Sequence, residues 1–324
     1  MEENVMRKLL LTTAALATIG LTLAGAVTAP AQAAQKKVFA LVPKALGVPF
    51  YADVEKGCKI EAAKIGAECL FTGPSQLDDA EQLRIVRDLI TRKVAGISVA
   101  PNNPDSIAGG IAAALDAGIP TITFDSDAPN SKRIAFIGTN NEAGGVTAGE
   151  QFVKFMPNGG TYAVLTGGLS AANLNDRIKG FKSKLGSTYT EVSGSPFSCD
   201  DDSNKAVQII QDVLTKNPKL DGIFYSGGWP MFAPAAYSRA LKKRFADIKS
   251  GKFVVVSFDT LPSQLKLLKE GYATALVGQR PYAMGVDSID QLNTLSTGGK
   301  VPPITDTGTD VVTKANVTAF MSKK

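Results

Sequence analysis

Residues 94–125, VAGISVAPNNPDSIAGGIAAALDAGIPTITFD, decide the fold. Val94 to Ala100 is an unbroken apolar run closed by Pro101, the pattern of a parallel strand buried on both faces. Pro104-Asp105 opens a helix, because proline suits the first helical position, where its missing N–H is not needed; Ile107, Ile111 and Leu115 then recur along one face. Gly118-Ile119-Pro120 ends that helix, and Thr121 to Phe124 predicts a second strand that terminates on Asp125. Two apolar strands joined through a helix make one βαβ unit, whose crossover strand twist fixes as right-handed.

The rhythm extends both ways. Upstream, Val38 to Val42, Tyr51 to Lys64, Cys69 to Thr72 and Ala80 to Arg92 alternate strand and helix. In the last of these, Ala80, Leu83, Val86 and Ile90 fall at helical spacing, and Asp78 and Asp79 favour the helix start. Downstream, Ile134 to Gly138 leads to a helix near Gly144 to Phe155, the strand Tyr162 to Leu165, a helix from Arg177 and the strand Glu191 to Val192. A helix over Ala206 to Leu214, the strand Asp221 to Tyr225, a helix reaching Phe245 and the strand Phe253 to Phe258 follow. Two series of four or five strands predict an α/β protein of two doubly wound parallel-sheet lobes. No low-complexity linker separates them, so short crossings should hinge the lobes across a cleft.

The 324 residues, 44% apolar and 20% charged, suffice for two medium-sized lobes. Arg7 and Lys8 precede an apolar run from Leu9 to Ala29, followed by Pro30 and the small-x-small sequence Ala31-Gln32-Ala33. This is the layout of a cleaved signal peptide, assigned to residues 1–33, and it directs the chain to the periplasm. A membrane anchor is the competing reading, disfavoured by the richness of the run in Ala, Thr and Gly.

Several functions are excluded by composition. The chain has no histidine, which removes Ser-His-Asp and Cys-His nucleophiles and the usual zinc ligand sets. The net charge of +5 survives loss of the leader, with its two acids and two bases, and no run of Lys or Arg offers a footprint for nucleic acid. Neither a GxGxxG fingerprint nor a P-loop is present, so no nucleotide or other cofactor is expected. Cys58 in a helix and Cys69 in the next strand are either a local disulfide or two buried thiols; pairing them leaves Cys199 single.

In open parallel sheets ligands bind at the carboxyl ends of the strands. Asp125 and Asp259 each follow such an end, and a carboxylate accepts two adjacent hydroxyls side by side. Each is also a residue type that caps helices and holds turns. Arg177, after the Thr166-Gly167-Gly168 loop, could donate to ring and hydroxyl oxygens, or could be a solvated partner of Asp176. Phe50, Tyr51 and Trp229 offer rings on which the C–H faces of a sugar pack, although aromatics near helix starts are also ordinary core.

At these residues the chain resembles the type I periplasmic binding proteins that serve sugar ABC transporters, the ribose-binding protein group. The resemblance runs from about Lys37 to the C-terminus through Pro49-Phe50-Tyr51, Thr123-Phe124-Asp125, Asn141 before Gly144-Gly145, Arg177 with Gly180-Phe181, Ser257-Phe258-Asp259 and Gly278-Gln279. It implies stacking by Phe50 and Tyr51, and hydroxyl contacts from Asp125, Arg177, Asp259 and Gln279, with Asn141 among the site residues. It also implies three crossings near 140, 279 and 304, hence an N-terminal lobe of 36–140 plus 280–304 and a C-terminal lobe of 141–279 plus 305–324. Where ribose binders carry Asp-Arg this chain has Asp125-Ser126-Asp127; where they carry Asn it has Gly227-Gly228-Trp229; and their middle-loop aromatic gives way to Cys199-Asp200-Asp201-Asp202, which brings in Asp201. Val42-Pro43-Lys44 and Asp125-Ser126-Asp127 are more similar to the rhamnose and autoinducer-2 receptor branch, in which a lysine after the first strand can reach the ligand; Lys44 is that candidate, or else an exposed lysine.

The function implied is capture of a monosaccharide or polyol by a monomeric, non-enzymatic receptor that delivers it to an ABC transporter permease. The alternative is a signalling receptor for autoinducer-2 or a chemotaxis ligand. Sugar-responsive repressor cores share the fold, but carry a DNA-binding segment where this chain carries a leader.

Overall fold

The first apolar runs form β1 (Val38–Val42), α1 (Pro49–Lys64), β2 (Glu68–Phe71), α2 (Asp79–Thr91), β3 (Gly96–Val99), α3 (Pro104–Asp116), β4 (Thr121–Phe124) and β5 (Phe136–Gly138) in a computed structural model that describes residues 36–322. The expected leader, residues 1–33, lies outside the described residues. The second series supplies α4 (Asn141–Phe155), β6 (Gly160–Thr166), α5 (Ala172–Ser183), β7 (Tyr189–Glu191), β8 (Phe197–Ser198), α6 (Ser203–Lys216), β9 (Gly222–Tyr225), α7 (Pro234–Ala240), α8 (Phe245–Ser250), β10 (Val254–Phe258), α9 (Pro262–Glu270) and β11 (Ala275–Gly278). The chain closes with α10 (Pro281–Ser296), β12 (Ile304–Asp306), β13 (Asp310–Thr313) and α11 (Val317–Met321).

Two sheets result, ordered β12-β5-β4-β3-β1-β2 and β13-β11-β10-β9-β6-β7, with β8 beside β6. Every pairing is parallel except β11 with β13. Both sheets reverse strand order next to their first strand, between β1 and β3 and between β6 and β9, and such a switch point opens a crevice at the strand ends. Each sheet is covered on both faces: Phe39, Leu41, Ile122 and Phe124 face one apolar cluster and Ala40, Val42, Ile97 and Val99 another, while Leu165, Tyr225 and Val255 oppose Val164, Phe224 and Val256 in the second.

The chain passes between the sheets at residues 139–141, 279–281 and 307–309. The last passage lies beyond the expected residue 304, because Ile304–Asp306 pairs in register with Phe136–Gly138 on the first sheet. Two other expectations are corrected. Helix α5 begins at Ala172, five residues before Arg177, and the single helix expected to reach Phe245 is broken into two 3-10 turns (Trp229–Phe232 and Lys242–Arg244), α7 and α8. Pro230 and Pro234 each sit at the start of a new element, since proline lacks the N–H that would continue the previous one.

Glycine sets the helix spacing on the second sheet. A Cβ on Gly145 of α4 would lie 2.2 Å from the Arg177 carbonyl oxygen of α5, and one on Gly180 of α5 would lie 2.1 Å from the Glu142 carbonyl oxygen of α4. Gly57 and Gly285 let α1 and α10 approach in the same way.

Cys58 and Cys69 form a disulfide that ties α1 to β2, and Cys199 is free and buried. The bridge closes a short loop across a sequence separation of 11 residues, and bridges of this kind contribute about 2–4 kcal/mol, largely by restricting the unfolded chain. Replacing both cysteines with serine should lower the unfolding free energy by about that amount. Urea denaturation of the variant and of the reduced protein checks this; an unchanged midpoint in both would contradict it.

Candidate functional site

The strand ends of the two sheets face each other across a narrow cavity lined from both sides. Asp125 follows β4, with φ 58°, and Asp259 follows β10, with φ 74°. Aspartate is one of the few residues other than glycine that enters this left-handed region, and at a strand end the turn aims the carboxylate into the cleft. Asp201, in the loop before α6, shares the conformation at φ 58°.

Arg177 organises the second lobe's wall. Only 2% exposed, it donates from Nε to Asn141 Oδ1 (2.9 Å), from Nη1 to the Ser226 carbonyl oxygen (2.9 Å) and from Nη2 to Gln279 Oε1 (2.6 Å). Its guanidinium carbon lies 4.3 Å from the centre of the Phe258 ring, and Nη2 stands 3.9 Å from Asp125 Oδ1 across the cleft. Gln279, at the second passage, also accepts from Thr139 Oγ1 (3.1 Å) at the first, and its Nε2 donates to Asp259 Oδ1 (2.6 Å). Asp259 Oδ2 accepts from the Gly228 amide (3.1 Å). One network therefore runs from the passages between sheets to the cavity wall.

On the first lobe, Tyr51 donates to Asp125 Oδ2 (2.8 Å) and its ring meets that of Phe50 edge-on at 5.2 Å. Lys44 is buried and donates to Asn173 Oδ1 (2.7 Å), so the exposed-lysine alternative is set aside. Asn173 Nδ2 donates to Asp125 Oδ1 (3.3 Å). Trp229 is both core and wall: it packs in the second lobe's apolar cluster and also lines the cavity. Asp127 turns away to pair with Arg133 (2.5 Å).

The cavity thus holds two cations, Lys44 and Arg177, and three carboxylates, Asp125, Asp201 and Asp259. Burial lowers the pKa of Lys44 and Arg177, and raises that of Asp259 against the pull of Arg177. Burial pushes the Asp201 carboxyl up to about 6; Asp125 and Asp200 act in the same direction, while Lys44 and the Gly168 amide oppose it. Asp201 Oδ1 is buried with no hydrogen-bond partner, above Gly167, where a Cβ would reach it at 1.8 Å. Val48 and Asp201 also border a larger outer groove of about 640 Å³, lined by residues 45–49, 75–77 and 200–203 and by Lys205. Among the described residues no cluster of His, Cys, Asp and Glu could hold a metal ion, and no helix is long and apolar enough to cross a membrane.

The structure brings nine of the ten candidates onto this one cavity: Lys44, Phe50, Tyr51, Asp125, Arg177, Asp201, Trp229, Asp259 and Gln279. Asn141 stands behind Arg177 as its Nε acceptor. Asn173 is the polar side chain of the wall that sequence reasoning missed, and the available signal was its spacing of four from Arg177, which puts both on one face of a helix.

Residues 39–300 match the family model described as a periplasmic binding protein domain. The chain belongs to that family. This periplasmic binding protein is 37% identical to an ABC transporter solute binding protein from Burkholderia graminis, solved in complex with D-arabinose, with a TM-score of 0.80 over 87% of this chain and 97% of that one. It is 30% identical over 279 residues to the D-allose-binding periplasmic protein of Escherichia coli, covering 82% of this chain and 86% of the relative. The ribose import binding protein of Salmonella typhimurium is 29% identical over 287 residues, covering 88% of this chain and 94% of its own length.

Proposed function

We propose that this periplasmic binding protein is an exported, monomeric receptor that traps a neutral monosaccharide or polyol between its lobes and delivers it to an ABC transporter permease, without chemistry of its own. The observation that carries this reading is the cavity whose polar groups come from both lobes: a ligand rich in hydroxyls can satisfy Lys44, Asp125, Arg177, Asp201 and Asp259 at once. The D-arabinose, D-allose and ribose relatives support the ligand class. Two cations against three carboxylates disfavour an anionic ligand, because sugar acids and sugar phosphates would add negative charge to a buried site that already holds an excess. In this reading Phe50 and Trp229 pack on the C–H faces of the ring while the acids accept from hydroxyls.

Calorimetric titration with pentoses, hexoses, deoxysugars, polyols and the corresponding sugar acids tests this. One or more neutral compounds should bind, and the acids should not. Binding of no neutral sugar or polyol would overturn the reading. The presence of Lys44 in the cavity wall keeps autoinducer-2 in the panel as the second reading, that of a signalling receptor.

A pH dependence follows from Asp201. A ligand hydroxyl that donates to its bare oxygen favours the carboxylate, so the complex holds fewer protons than the free protein and affinity rises with pH through about 6. Below that value Kd should weaken by up to about tenfold per pH unit, and Asp201→Asn should flatten the profile. Titrations across this range check it; a flat wild-type profile would remove Asp201 from the ligand's contacts.

A further inference from the structure

We propose that Asn173 is a positioning residue that bridges the lobes directly and holds part of the ligand-free protein closed. A side-chain amide has an acceptor at one end and donors at the other. The acceptor of Asn173 meets Lys44, which can only donate, and its nitrogen meets Asp125, which as a carboxylate only accepts. Both partners belong to the first lobe, Lys44 after β1 and Asp125 after β4, whereas Asn173 stands in the first turn of α5 on the second. One helical turn further on, Arg177 approaches the same Asp125 oxygen.

These contacts join the lobes directly, through protein groups alone, and both are charge-assisted, which makes them stronger than neutral hydrogen bonds. Apolar contacts reinforce them: Leu261, from the second lobe, joins the cluster that contains Phe50 and Tyr51, and Phe232 packs against it. In an open cleft Lys44 and Asp125 would face water instead. Apparent affinity scales with the fraction of protein already in the binding-competent form, so the bridge tightens binding even where Asn173 makes no ligand contact.

The test measures the distance between spin labels at the exposed positions Asp105 on α3 and Asp212 on α6 in the ligand-free protein. The labels are attached through non-cysteine chemistry, which spares the disulfide and Cys199. Wild type should show a short-distance population that Asn173→Ala lacks. Asn173→Asp, which keeps the Lys44 contact but opposes Asp125 with a second carboxylate, should reduce that population. With D-arabinose as probe, Asn173→Ala should bind about tenfold more weakly. Identical ligand-free distributions in wild type and Asn173→Ala would overturn the proposal, and so would a loss of affinity with no change in distribution, which would make Asn173 a ligand contact. A ligand-free difference with no response to any sugar would support the bridge while defeating the sugar reading.

Discussion

Arg177→Ala is expected to remove measurable sugar binding and to lower thermal stability in the same protein. The guanidinium holds Asn141, Ser226 and Gln279 through three separate nitrogens, stacks on Phe258 and faces Asp125. Its loss leaves Asp259 buried without its cation and Asp125 with Lys44 alone, and breaking one partner out of a buried charge cluster costs about 3–5 kcal/mol. Whatever share of that falls on the complex, rather than on the free protein, weakens Kd tenfold for about every 1.4 kcal/mol. Arg177→Lys should recover little, because an ammonium cannot reach three acceptors held in the plane of a fork. Calorimetric titration and thermal melts together check this. Binding within threefold of wild type by Arg177→Ala would mean that the ligand sits elsewhere.

Gly145→Ala is expected to lower both affinity and stability as well, without altering any side chain of the cavity wall. The added methyl would stand 2.2 Å from the Arg177 carbonyl oxygen, which is backbone and cannot swing aside. Helices α4 and α5 must separate, and overpacking of this kind costs about 1–3 kcal/mol. The separation carries Arg177 and Asn173 outward with α5, so affinity should fall along with stability. Gly109→Ala, on α3 where an added Cβ meets nothing within 4 Å, serves as the control and should leave affinity unchanged and stability equal or higher, since alanine is the better helix former. Wild-type affinity in Gly145→Ala would show that the spacing of α4 and α5 does not set the site.

Most of the first sheet was legible in the sequence because its strands are short apolar runs bounded by proline, glycine or aspartate, and Val38 to Val42 and Thr121 to Phe124 match β1 and β4 residue for residue. The acids at strand ends were legible for the same reason, since a polar residue directly after a buried run marks the crevice. The start of α5 was not. Asn173-Leu174-Asn175-Asp176 reads as a polar loop, and Ala171 ahead of it offers no capping side chain, so no local signal announces the helix. What makes it helical is tertiary: Leu174, Ile178 and Phe181 are buried in the core, and Gly180 rests against α4. Asn173 was hidden by the same misreading. The place of β12 was also beyond local pattern, because Ile304–Asp306 is short and mostly exposed and joins the first sheet only through pairing with β5.

The backbone beneath Asp125, Asp201 and Asp259 bears on how such a receptor could be retargeted as a biosensor. At a φ near +60° only glycine, asparagine and aspartate sit with little strain, and other side chains add about 1–2 kcal/mol. Libraries randomised at these three sites would return mostly destabilised clones, and the strain-free alphabet there is three letters long. Lys44, Phe50 and Trp229 have no such backbone. Diversity aimed at a new analyte belongs on those walls, with the acids kept as a fixed frame.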